Sequence, residues 1–231
     1  MLAGMRIVDV RMSAGDLGEA VAFYRDVLEL PVAVAMSGAE ATVAVGTSTI
    51  TLVQDAAVVD RNHLAFTVPA DRFADAKAWV AERVELMRWG ADDAETTLEL
   101  TAPWNSESAY FRGPGGVILE VIARHDLANA ASGPFSSAHL LCVSEVGLAT
   151  PDVPGEFARM RQTFGMGTFA GESPDFTTVG DARGLLILVT EGRPWFPTSD
   201  VGAASPGLWV TIEAPGSGVV RSAAGWVVTS S

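Results

Sequence analysis

The feature that most restricts this chain is internal repetition: a strand, a capped amphipathic helix and further strands recur along its 231 residues. In the first unit Ile7–Ser13 alternates in polarity, and Asp16 stands as a helix cap with Glu19 three residues on. Leu17, Ala20, Val21, Tyr24, Val27 and Leu28 then fall on one helical face, and strands are expected over 32–36, 41–45 and 49–53. The second unit opens with a strand over 63–68 and hands over to a helix near Asp71, with Phe73, Ala76, Val80 and Val84 as its apolar stripe. After an acidic stretch at 89–95, strands are expected over 97–100, 108–112 and 117–123. The third unit opens over 145–150, with Asp152 as cap, Val153, Phe157, Met160 and Phe164 as stripe, and strands over 176–179 and 185–189.

A fourth opening at 208–212 has no helix pattern after it and runs into a last strand near 225–229, so it reads as a degenerate unit. The spacing supports the repeat: Thr51 follows Asp9 by 42 positions and Ile187 follows Glu145 by 42, while Glu120 follows His63 by 57. The small, polar stretch 128–134 is the natural seam. It divides paired modules at 1–128 from a third module plus a helix-less fourth at 137–231. These readings predict an α+β fold of βαβββ modules, forming a curved mixed sheet cup with helices outside.

Composition narrows the partners. With 15 Lys and Arg against 28 Asp and Glu, the net charge of −13 repels a nucleic-acid polyanion, so no nucleic acid is expected. No run of about 18 apolar residues suggests a membrane span, and the first residues carry no long apolar leader, so a cytoplasmic protein is the default expectation. The single cysteine, Cys142, excludes an intrachain disulfide framework and reads as a small apolar-segment residue.

Three segments resemble one family. The run from Asp9 to Leu28, with Asp16-Leu17, Ala20 and Phe23-Tyr24, is similar to an opening signature "D-L-x-x-A-x-x-F-Y-x-x-x-L". His63-Leu-Ala-Phe-Thr-Val68 is similar to a second opening, and Tyr110-Phe-Arg-Gly-Pro-Gly-Gly-Val-Ile-Leu-Glu120 to a closing "F-x-D-P-x-G-N-x-x-E-L". Together they resemble the vicinal oxygen chelate superfamily, which includes glyoxalases, bleomycin-resistance proteins and extradiol dioxygenases. The resemblance covers residues 5–123 well and the third unit loosely. It implies that opening strands and fourth strands aim ligands into the cup, which makes Asp9, His63 and Glu120 candidate metal ligands and puts Thr51 where relatives place a second glutamate. Glu120 is also the candidate catalytic residue. Departures stand beside this: relatives usually have His or Gln at Asp9, and Gly113 and Val117 replace the Asp and Asn of the closing turn.

Strand alternation gives a separate check. His63, Ala65 and Thr67 share a face, as do Asp9 and Arg11, and Glu120 lies between Ile118 and Ile122. Each strand thus has one apolar face and one face with an ionisable group. One imidazole and two carboxylates suit a divalent Fe, Mn, Zn, Ni or Mg ion. Ion pairs are the alternative: Asp9 with Arg11, and Glu120 with Arg11 or Arg112. Arg11, Thr51, Trp104, Asn105, Tyr110 and Arg112 are the candidate substrate contacts, and Arg193-Pro-Trp-Phe-Pro197 is expected to cover the cup or the seam. Glu145 occupies the third unit's opening position, but Ile187 and Gly207 offer nothing to an ion, so no metal site is expected in the second half. The functional expectation is a metal-dependent lyase, isomerase or dioxygenase acting on a small oxygenated molecule. The alternative is a metal-free protein that sequesters a small drug-like ligand; a homodimer is compatible with either.

Overall fold

The computed structural model describes residues 4–57 and 61–230; the leader-free reading of residues 1–3 falls outside them. Four modules follow one another. The first is β1 (Arg6–Ala14), α1 (Leu17–Ala22), β2 (Val32–Val34), β3 (Glu40–Val45) and β4 (Ser48–Gln54). The second is β5 (His63–Val68), α2 (Phe73–Ala81), β6 (Leu98–Leu100), β7 (Ser106–Arg112) and β8 (Ile118–Arg124). The third is β9 (Cys142–Thr150), α3 (Val153–Phe164), β10 (Thr168–Glu172), β11 (Phe176–Asp181) and β12 (Gly184–Thr190). The fourth is β13 (Trp209–Glu213), β14 (Gly218–Arg221) and β15 (Val227–Ser230), without a helix.

The caps act as their chemistry predicts at two of three helices. Asp16 accepts the Glu19 amide at 2.9 Å, and Asp152 accepts that of Gly155 at 3.0 Å. Asp71 is not a cap: its carboxylate accepts the Ala131 amide at 3.1 Å, and α2 begins two residues later. The fourth module borrows the third's helix. Arg159 on α3 donates to the Arg221 carbonyl at 3.0 Å, and Ser222 donates to Glu156 at 2.7 Å. A side chain at Gly216 would lie 2.6 Å from the Thr163 carbonyl, so this loop sits directly against the end of α3.

Modules pair second with third and first with fourth. An eight-stranded sheet runs β10-β11-β12-β9-β5-β8-β7-β6, and a seven-stranded sheet runs β14-β15-β13-β1-β4-β3-β2. In each, two opening strands lie side by side and antiparallel, β5 with β9 and β1 with β13. The stretch 128–134 therefore links two modules of one sheet, and the spans 1–128 and 137–231 each contribute to both sheets. One apolar core joins the inner faces of the two sheets and the three helices, with Val10, Ile50, Leu64, Phe66, Val121 and Leu148 at its centre. A second, smaller cluster lies on the opposite face of the eight-stranded sheet, where Trp195 and Ala203 from residues 191–207 cover Ile118, Leu185 and Ile187. That strap is why β5, β8 and most of β9 are buried on both faces. No helix among the described residues is long and apolar enough to cross a membrane.

Candidate metal centre

The eight-stranded cup gathers three ionisable side chains onto its floor. Ala65 pairs with Glu120 on one side and with Glu145 on the other. The two carboxylates thus rise on either side of a methyl group, and His63, two residues earlier on the same face, reaches between them. A bulge helps aim Glu145: Ala65 faces Glu145 but Phe66 faces Val143, which leaves Ser144 as an extra residue in β9. His63 Nε2 stands 3.3 Å from Glu120 Oε2 and 3.7 Å from Glu145 Oε2. All three residues are buried.

Arg124, at the end of β8, is wholly buried and pairs with the other oxygen of Glu145 while donating to Ser144 Oγ at 3.3 Å. Burial alone would lower the His63 pKa, but the two glutamates outweigh it and raise the ring to about 9. Burial and the charge of Glu145 hold the Glu120 carboxyl above its ordinary range, against the pull of His63. Tyr110, beside Glu120 and Ser108, is held well above its usual value by burial and then by both carboxylates. Without an ion, the cluster therefore keeps a proton on His63 at neutral pH.

A cavity of about 170 Å³ opens over this floor, with Trp104, Tyr110, Phe176, Ile187, Trp195 and Phe196 in its walls. The strap closes one side. Trp195 donates its indole N–H to the Arg61 carbonyl at 2.7 Å, and its ring centroid lies 5.4 Å from that of His63. Gly147 makes that approach possible, since a Cβ there would fall 2.5 Å from the Trp195 ring and 3.3 Å from His63 Cβ.

Of the three expected ligands, His63 and Glu120 converge and Asp9 does not. Asp9 lies on β1 in the other sheet, where it accepts hydrogen bonds from Thr49 and, at 3.0 Å, from Thr51. The reason is strand pairing: β5 lies beside β9, not β1, so the third unit's opening residue Glu145 completes the set. The second half, expected to hold no metal site, thus contributes Glu145 to the candidate cluster. Thr51 is likewise committed to Asp9, and Arg11 pairs with Glu40 at 2.7 Å, both away from the cup. Trp104 and Tyr110 line the cavity, as do Arg193, Trp195 and Phe196 of the expected cover. Asn105 instead donates to Asp126 at 2.7 Å, and Arg112 holds Asp200 of the strap at 3.0 Å. The ion pairs weighed for Glu120 with Arg11 or Arg112 do not form; its partner is His63.

The donor set fits a divalent ion. Donors about 2.1 Å from a tetrahedral ion stand about 3.4 Å apart, close to the 3.3 and 3.7 Å found, and one donor atom from each residue lies within 4.8 Å of the others. His63, Glu120 and Glu145 would hold it, Arg124 would orient Glu145 from behind, and Ile187 leaves the fourth strand position without a donor.

No protein-family model matches the sequence, and no curated protein matches it. Solved structures do match along the whole chain. Glyoxalase I from Zea mays is 14% identical, with a TM-score of 0.58 over 98% of this chain and 92% of that one. A putative dioxygenase from Bacillus subtilis is 15% identical, with a TM-score of 0.60 over 100% of this chain and 86% of that one. The chain accordingly shares the fold of these two structures: four modules paired into two cups, one of which carries the His–Glu–Glu cluster.

Proposed function

We propose that this chain is a metal-dependent enzyme of the glyoxalase and dioxygenase type, acting on a small oxygenated molecule in the eight-stranded cup. The observation that carries the reading is the convergence of His63, Glu120 and Glu145 beneath an aromatic-walled cavity. His63, Glu120 and Glu145 would hold a divalent ion of Fe, Mn, Zn, Ni or Mg there, which would supply Lewis acidity to an oxygenated substrate. Trp104, Phe176 and Trp195 hold the carbon skeleton of an α-keto or vicinal-diol compound and exclude water. Glu120, facing the cavity, is the group suited to move a proton at the substrate carbon, with Tyr110 beside it as a hydrogen-bond donor.

The test is turnover of α-keto and vicinal-diol compounds by stripped protein reloaded with each ion. Activity is expected to return with one ion per chain and to vanish in Glu120→Gln, which still binds substrate. Turnover indifferent to chelation sinks the reading. A second reading, a metal-free binder that sequesters a drug-like ligand, is favoured by one specific observation: Arg124 already neutralises Glu145. It requires stripped protein to bind an aromatic ligand as tightly as reloaded protein.

A further inference from the structure

A second cavity, of about 330 Å³, lies where the ends of the two sheets meet, away from the aromatic cup. Its walls come from distant parts of the chain: Arg6 and Ile7 at the start of β1, Thr47 between β3 and β4, Leu127 after β8, and Arg183 between β11 and β12. Its floor is Thr67 of β5 and Cys142 of β9, which pair across the ladder.

The charge here runs against the rest of the molecule. In a chain of net charge −13, this cavity has two arginines at its mouth. Arg183 forms no ion pair among the described residues, and Arg6 has only a 3.9 Å contact with Glu213, both side chains being more than half exposed. Such a contact is screened and weak. Asp181, two residues before Arg183, is committed to backbone: it accepts the Met5 amide at 2.9 Å and the Arg183 amide at 2.8 Å. Arg6 and the buried Arg124 both act electrostatically on the Cys142 thiol. Thr67 Oγ1 is buried and makes no well-formed hydrogen bond among the described residues, and it lies beside that thiol. A buried hydroxyl without a proper partner is destabilising unless something satisfies it. Ile7, Leu127 and Leu141 supply an apolar wall opposite the charges.

We infer that this seam cavity is a binding site for a small organic anion, with a carboxylate or phosphate head between Arg6 and Arg183 and a short apolar tail against Leu127 and Leu141. The inference is independent of the proposed metal chemistry.

Cys142, the only cysteine in the chain, makes the site directly readable. Alkylation forms a C–S bond and expels iodide, with the thiol proton passing to solvent, and burial makes this thiol slow to ionise. Anionic iodoacetate and neutral iodoacetamide should be compared on the native chain, each rate divided by that of free cysteine. The site predicts a preference for iodoacetate of several-fold, although the net charge of the protein predicts repulsion. Hexanoate and inorganic phosphate should each slow alkylation saturably, and chloride at equal ionic strength should not; the two probes separate a carboxylate from a phosphate preference. Arg183→Gln, at an exposed turn that leaves the core intact, should cut the preference and the protection at least threefold. Preference for iodoacetamide, protection by chloride equal to that by the probes, or an unchanged Arg183→Gln would each overturn the proposal.

Discussion

The two sheets are built from the same kind of module and end with opposite properties. In the eight-stranded sheet, the row across the two opening strands reads Glu120, Ala65, Glu145, with His63 beside it. In the seven-stranded sheet, the row through Asp9, which stands at the position of His63, reads Thr49, Asp9, Thr211, Thr229. The first concentrates two carboxylates and an imidazole under a strap, with the buried Arg124 paired to one of the carboxylates. The second surrounds one carboxylate with hydroxyls, and β3, β4 and β13 alternate buried with more exposed residues, because their outer face stays open among the described residues. Trp209 and Val219 stay substantially exposed there. The difference teaches that a cup becomes a site through what covers it: burial strengthens the interactions among its charged groups, and an open face leaves them solvated.

The comparison can be broken at several points. The largest effect is expected from Arg124→Met, which strands the buried Glu145 charge and should cost about 3–5 kcal/mol in chemical denaturation. In the open sheet, Arg11→Met removes an exposed ion pair and should cost under about 1 kcal/mol. Equal losses in the two variants would contradict the contrast.

A pH effect of a few kcal/mol should come next. The His63 ring titrates near 9 in the folded chain against an ordinary value of 6.5, so its contribution is fully present below 6.5 and is lost as pH rises through about 9. Glu120 is also raised, but from an ordinary value of 4.5, so its losses begin at lower pH. Ion-stripped protein should lose melting temperature across the His63 window, and His63→Gln should flatten that slope. A smaller effect is expected from Gly147→Ala. The added methyl meets Trp195, so we predict a loss of about 1–3 kcal/mol and greater exposure of the indole, read by tryptophan fluorescence quenching.

Much of the fold was legible in the sequence, and the reasons are local. Strand periodicity and the Asp16 and Asp152 caps mark the modules, since both signals reside within a few residues. Two strands escaped. Thr168–Glu172 is an edge strand with no clean alternation, and Gly218–Arg221 follows a Pro-Gly-Ser-Gly turn and is only four residues long. The site was half legible. His63 and Glu120 declare themselves as lone ionisable groups in apolar strands. Glu145 sends the same signal between Val143 and Val146, as does Arg124 after Ala123, and both were open to being read that way. What periodicity does not encode is which opening strands pair. Pairing first with second would bury the same apolar faces, so Asp9 and Glu145 were exchanged.

The central claim is that the ion belongs to the cup of the second and third modules. Isothermal titration with Mn, Zn and Ni on stripped wild type, His63→Ala and Asp9→Ala tests it most directly. His63→Ala should remove the one nitrogen donor and leave two carboxylates that hold transition ions poorly. The account predicts one ion per chain for wild type, binding lost in His63→Ala, and binding unchanged in Asp9→Ala. No binding by wild type, or loss in Asp9→Ala with retention in His63→Ala, would contradict it.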